Sequence, residues 1–223
     1  SRNGQVKQIA DLSAKLADLD KLTPKPPADD PARLALLEQR DRLPQIELAA
    51  ADRADGLQVV LVLRVLQEPT ADDRSRLHEF ADRHAVEFWL QPGGPHTAVP
   101  LSVQQPSALR LGLPEFGVTL PFTPTDFTQV NHRVNEALVS RAVRLLAPTP
   151  QESVVDFFCG LGNFTLPLAT RARHVLGYEG SSSLVERARA AAEANALSDR
   201  TSFEARNLFE WSATDWEAAV ERC

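Results

Sequence analysis

The chain has 223 residues, 43% apolar and 24% charged, with 24 Lys and Arg against 30 Asp and Glu. That is the composition of an ordinary globular protein, long enough for one large domain or two small ones with buried cores. It excludes a disulfide scaffold, because Cys159 and Cys223 are the only cysteines, and a formal charge of −6 argues against a globally basic nucleic-acid footprint.

Val6, Ile9, Leu12, Leu16 and Leu19 recur at the spacing of one helix face. A proline-rich connector from Thr23 to Pro31 follows, and Pro31 suits the first turn of a second helix to about Leu43. Gln45–Ala51 and Leu57–Leu66 read as strands joined by the hairpin chemistry of Asp52–Gly56. Thr70-Ala71-Asp72-Asp73 is a helix start, with Leu77, Phe80 and Ala81 on its inner face. Val86–Gln91 reads as a third strand that Pro92-Gly93-Gly94-Pro95 ends, and short strands are expected near Ala108–Leu111 and Gly117–Phe122. Residues 1–125 thus predict an α+β domain with an antiparallel sheet.

The pattern changes after Pro124. A helix over about Asn131–Leu146 leads to a strand at Val154–Phe158, a helix at Phe164–Arg171 and a strand at His174–Tyr178. A helix at Ser182–Ala196 and a strand at Thr201–Ala205 complete the series. Strands alternating with helices at this spacing predict parallel βαβ units, so a domain boundary is expected near 125. The chain contains no methionine, and a helix-like run stops at Cys223, which together read as an internal fragment. No apolar run approaches the roughly 18 residues a bilayer span needs, so no membrane association is expected. With so few cysteines, a reducing cytoplasm is the expected location.

Chemistry concentrates at Asp156-Phe157-Phe158-Cys159-Gly160-Leu161-Gly162-Asn163-Phe164. A buried strand here breaks into a Gly-x-Gly turn and then a helix, as strands do over a nucleotide-like ligand. Glu179 lies 23 positions beyond Asp156, at the tip of the next strand. A carboxylate there accepts hydrogen bonds from both ribose hydroxyls, the alternative being a solvated loop acid. Thr165 stands where a dinucleotide fingerprint requires its third glycine, and no Gly-Lys-Ser/Thr element adjoins the turn. A ligand with ribose and adenine but no phosphates fits better, and S-adenosyl-L-methionine is the leading candidate.

Three motifs then carry a resemblance: Asp126-Phe127-Thr128-Gln129-Val130-Asn131 with Val134-Asn135, the Asp156–Ala169 stretch, and Gly177-Tyr178-Glu179-Gly180. Together they resemble the RNA 5-methyluridine (uracil-C5) methyltransferases, nearest to the RumA/RlmD-type branch that acts on 23S rRNA. The resemblance is strong over about Phe122–Phe209 and one of layout upstream. It implies a Rossmann-like class I methyltransferase domain, of which 126–223 would be the first half, after a central α+β domain (1–125) that would be an RNA-contacting platform. It also implies that Gln129 holds the methionine end of the cofactor and that Phe158 and Asn163 line it. By the same token Glu179 would bind the ribose and Asn207 would make a polar contact near the adenine, with Asp156, Gly160 and Gly162 shaping the turn. Capping by Gln129 and Asn131, a core role for Phe158 and an N-cap role for Asn207 remain the alternatives.

In that family a cysteine thiolate adds to uracil C6, C5 takes the methyl group, and a general base removes the C5 proton. The resemblance puts the nucleophile and base outside these residues, so no catalytic residue is expected here and the segment alone is expected to be inactive. Cys159, inside the glycine turn, reads as a small buried residue. An iron–sulfur cluster in the full-length protein is compatible with the resemblance but has no ligands in this chain. The five histidines are too scattered for a metal site, and the arginines of the helices read as solvated faces. RNA, 23S rRNA in particular, is the expected partner, and no obligate protein partner is evident. A tRNA or other rRNA uracil-C5 methyltransferase, a non-catalytic RNA-binding module with a vestigial methyltransferase fold, and a nicotinamide-cofactor enzyme are the competing readings.

Overall fold

The computed structural model describes residues 31, 45–53, 56–102, 109–129 and 131–222. The two helices expected before residue 44 and the proline-rich connector fall almost wholly outside them. The chain forms two compact units that divide at 107–108, with 51–57 counting with the second.

The first unit is built on a four-stranded sheet in the order β1 (Gln45–Arg53), β2 (Gly56–Arg64), β3 (Val86–Gln91) and β4 (Val99–Pro100). Between β2 and β3 runs α1 (Ala71–His84). Its start is a capping box: the Thr70 hydroxyl accepts from the Asp73 N–H at 3.2 Å while the Asp73 carboxylate accepts from the Thr70 N–H at 3.1 Å. The sheet is mixed, not antiparallel as expected. β2 and β3 are parallel, and β3 and β4 are antiparallel. The physical reason is α1, a crossover that carries the chain back to its starting edge before β3 begins. Leu77 and Ala81 of α1 pack with Leu61 and Leu63 of β2 and Phe88 and Leu90 of β3. β4 is too short, at two residues, to leave a periodic signal, and sequence patterning does not reveal it.

The second unit opens with the hairpin β5 (Leu109–Leu113) and β6 (Val118–Phe122), whose alternating leucines, valine and phenylalanine are buried. Helix α2 (His132–Leu146) follows, its first turn capped by the Asn131 side chain, which accepts from the Val134 N–H at 3.1 Å. The core is a parallel sheet in the order β7 (Ser153–Phe157), β8 (His174–Glu179), β9 (Thr201–Ala205), as the alternation of elements predicts. Helix α3 (Thr165–Ala169) links β7 to β8, α4 (Ser182–Ala194) links β8 to β9, and α5 (Ala213–Arg222) comes last. On one face Val155, Phe157, Leu176 and Tyr178 pack with Leu208, Trp211 and Ala219 of the segment after β9.

Asn195, just past α4, holds the hairpin to this sheet. Its amide nitrogen donates to the Thr119 carbonyl and its amide oxygen accepts from the Thr119 N–H, both at 2.8 Å, so one side chain replaces a neighbouring strand at that residue. Among the described residues no helix is long and apolar enough to cross a membrane.

Candidate functional site

The three parallel strands end side by side at Phe157, Glu179 and Ala205, and the loops beyond them carry most of the expected site residues. Ligands of open parallel sheets bind at this carboxyl edge. The turn after β7 takes its shape from positive φ values at Phe158 (59°), Gly160 (55°) and Gly162 (92°). Glycine accepts such values freely. A Cβ at Gly162 would also approach Leu166 Cγ to 3.2 Å. Phe158 has no such freedom and holds its left-handed backbone at a cost of about 1–2 kcal/mol. Phe158 is 59% exposed, so it is not plain core.

Glu179 closes the turn. Its carboxylate accepts from the Gly160 N–H and from the Ser181 N–H, each at 3.1 Å, through different oxygens. Two amides thereby orient the group, and a carboxylate with roughly four acceptor positions keeps others for a ligand. Both bonds come from backbone amides of the adjoining loops, so Glu179 has fixed partners at the strand end. Ser181 also caps α4, accepting from the Leu184 N–H, which links the acid at the end of β8 and the helix start in one short segment.

Asp156 faces inward from β7. The Thr165 hydroxyl donates to it at 2.6 Å, and burial pushes its carboxyl above the ordinary range despite that bond. Thr165 is fully buried, so the residue that breaks the dinucleotide pattern has a positive role in satisfying the acid of the strand. Sequence reasoning registers Thr165 only as a missing glycine.

Asn163 is engaged within the protein. Its amide and that of the fully buried Asn135 on α2 exchange two hydrogen bonds, each 2.9 Å. Asn207 caps the single turn Leu208–Glu210 by accepting from the Phe209 N–H at 3.1 Å, the N-cap role weighed as its alternative. Gln129 is exposed in the segment before α2. That segment is anchored by Asp126, whose two carboxylate oxygens take Arg187 Nη1 and Nη2 of α4 at 2.6 and 2.5 Å. Burial opposes ionisation of Asp126, but the bonds from Arg187 and from the Thr123 N–H outweigh it and hold the carboxyl below the usual range. Neither Arg187 nor Asn135 carries a role in the sequence reading; both pairings join residues far apart in the chain.

Cys159 is buried, 5% exposed, beneath the turn. Burial, then the charges of Asp156 and Glu179, push its thiol up to about 12, so it is protonated and unreactive at neutral pH. The arrangement as a whole can hold a ribose and shape a narrow backbone approach. It presents no activated nucleophile among the described residues.

A sequence profile described as tRNA (uracil-5-)-methyltransferase matches residues 117–205, the hairpin strand β6 through β9. A 23S rRNA (uracil(1939)-C(5))-methyltransferase RlmD of Burkholderia thailandensis is 54% identical over 189 residues, covering 82% of this chain. The chain belongs to the RNA uracil-C5 methyltransferase family. A second relative of the same description, from Cupriavidus necator, is 52% identical over 179 residues and covers 80% of the chain. The chain covers 39% and 40% of these relatives, about two fifths of their length. The solved structure of Pyrococcus abyssi tRNA (uracil-54, C5)-methyltransferase, in complex with S-adenosyl-L-homocysteine, shares the fold. Its TM-score is 0.53 at 19% identity, over 74% of this chain and 40% of that one.

Proposed function

We propose that the complete protein carrying this chain methylates uracil C5 in 23S rRNA, in the cytoplasm, with S-adenosyl-L-methionine as methyl donor. In this reading 126–223 is the first half of a Rossmann-like class I methyltransferase domain, and 1–125 is a central α+β domain that contacts RNA. The observation that carries it is Glu179, held by the Gly160 and Ser181 amides at the end of the central strand of the parallel sheet.

The site fits an adenosine-bearing, phosphate-free cofactor: an oriented acceptor for ribose, a turn with positive φ at Gly160 and Gly162, and no cationic cradle beside them. The cofactor supplies an electrophilic methyl group when bound. Glu179 accepts from the ribose hydroxyls, and Gly160 and Gly162 let the backbone come close. Phe158 covers the base, Asn207 makes a polar contact near the adenine, and Gln129 holds the methionine end. Asn163 lines the cofactor while its amide stays paired with Asn135, and Asp156 supports the turn from below through Thr165. Cys159 takes no part in the chemistry; the thiolate that adds to C6 and the base that removes the C5 proton belong to parts of the protein outside these residues.

The test is tritium release from 5-tritiated uridine by the complete protein, offered 23S rRNA and tRNA separately. Release from 23S rRNA alone is expected, whereas release from tRNA alone would move the substrate assignment to the tRNA branch. Calorimetry with S-adenosylhomocysteine against NAD decides the cofactor, and heat with NAD only would overturn the methyl-donor reading.

A further inference from the structure

Residues Phe127–Gln129 belong to no helix or strand, yet the stretch that carries them is tied down at both ends. At its start Asp126 takes Arg187 Nη1 and Nη2 of α4, one on each carboxylate oxygen, at 2.6 and 2.5 Å. The Asp126 side chain is 10% exposed and that of Arg187 33%, so water screens this pair less than one on the open surface. The Thr123 N–H donates to the same carboxylate, and the Asp126 N–H donates to the Thr123 carbonyl at 3.0 Å. At the far end Asn131 caps α2, and one turn on, Asn135 is paired with Asn163 of the glycine turn. Both ties lead to Glu179. Helix α4 starts after Ser181, whose N–H donates to that carboxylate, and the glycine turn reaches it through the Gly160 N–H.

What these ties order is largely exposed: Phe127 is 89% exposed, and Gln129 is exposed as well. Fixing exposed chain costs conformational entropy with little burial in return, which points to a use outside the core. A bidentate guanidinium–carboxylate contact suits that use, because it sets orientation as well as distance. We infer that Arg187 is a positioning residue for the methyl donor: through Asp126 it fixes the stretch bearing Gln129 relative to Glu179. This rests on the methyl-donor reading above, with Gln129 at the methionine end and Glu179 at the ribose. Arg187 touches no part of the cofactor. Its effect is to order the Gln129 stretch before the ligand arrives, so that binding does not have to. A ligand with adenine and ribose but no amino-acid end makes no use of the tie.

The test is calorimetry of the complete protein with S-adenosylhomocysteine and with 5′-methylthioadenosine, which lacks the amino-acid end. In Arg187→Gln, S-adenosylhomocysteine is expected to bind roughly 5- to 50-fold more weakly, while methylthioadenosine stays within about twofold. A folding defect would lower the binding stoichiometry of both ligands together and leave the ratio of their affinities unchanged. Asp126→Asn with Arg187→Gln leaves no unpaired charge and is expected to give the same contraction of that ratio, which keeps the comparison available where the single variant folds poorly. Gln129→Ala is expected to reproduce the loss, and adding Arg187→Gln to it is expected to cost little more, because the arginine acts through that stretch. An unchanged ratio in both Arg187 variants, or full additivity with Gln129→Ala, would overturn the positioning role and leave the methyl-donor reading standing. Absence of S-adenosylhomocysteine binding by the unsubstituted protein would overturn both.

Discussion

The side-chain amides of Asn135 and Asn163 form a closed pair, each Nδ2 donating to the other's Oδ1 at 2.9 Å. One partner lies on α2 and the other in the glycine turn, so the pair fixes the turn to a helix 28 positions earlier in the chain. Removing Asn163 leaves the donor and acceptor of the fully buried Asn135 without that partner, and removing Asn135 does the same to the half-buried Asn163. Asn135→Ala and Asn163→Ala are each expected to cost about 1–3 kcal/mol in urea unfolding, with a coupling energy of at least about 0.5 kcal/mol in the double mutant. Full additivity would mean that the pair contributes nothing as a unit.

Gly177, in the middle of β8, has no room for a methyl group. A Cβ there would meet Cys159 Sγ and Phe203 Cδ1, both at 2.9 Å. Gly177→Ala is expected to destabilise the protein by about 1–3 kcal/mol, as overpacking does. Adding Cys159→Ala removes one of the two obstacles and is expected to restore part of the loss. A double mutant no more stable than Gly177→Ala would show that the Cys159 contact is not the source.

The Cys159 thiol, raised to about 12 by burial and by the Asp156 and Glu179 charges, exposes little thiolate at pH 8. Relative to an ordinary thiol its alkylation is expected to slow by about 10^3-fold from thiolate population alone. Iodoacetamide labelling of the folded protein, followed by the mass of the proteolytic peptide that carries Cys159, measures this. Rapid labelling in the folded state would contradict the buried, protonated thiol.

Asp126 and Arg187 set a pH dependence whose sign follows from the direction of the shift. The folded Asp126 carboxyl lies below its ordinary value, so its stabilisation is fully present above the ordinary carboxyl range and is lost as pH falls through the folded value. Asp126→Asn is therefore expected to cost about 1–3 kcal/mol at neutral pH and progressively less in acid. Asp156, raised by burial, contributes in the opposite sense, with its stability greatest in acid and lost as pH rises through its folded value. The difference between Asp126→Asn and the unsubstituted protein cancels that second contribution. A difference that grew as pH fell would refute the ion-pair assignment.

Local signals settle much of this protein. The turn composition and two-residue alternation of 109–122, the capping box at Thr70 and the βαβ spacing after 130 each act within a few residues. The elements they specify stand within a residue or two of their expected ends. The glycine turn and the position of Glu179 are legible for the same reason: their meaning depends on one strand end and the next. The direction of β3 against β2 is not legible, because it depends on where α1 packs and not on the alternation within either strand. Nor are the partners of Asn163, Asp126 and Asn195, which stand 28, 61 and 76 positions away in the chain. A side-chain hydrogen bond between distant elements leaves no periodicity, and residue type alone names a donor without its acceptor. Sequence by itself determined that a glycine turn between a strand and a helix, with an acid at the tip of the next strand, exists here. Only tertiary packing decided which side chains it leaves exposed and which hold the turn in place.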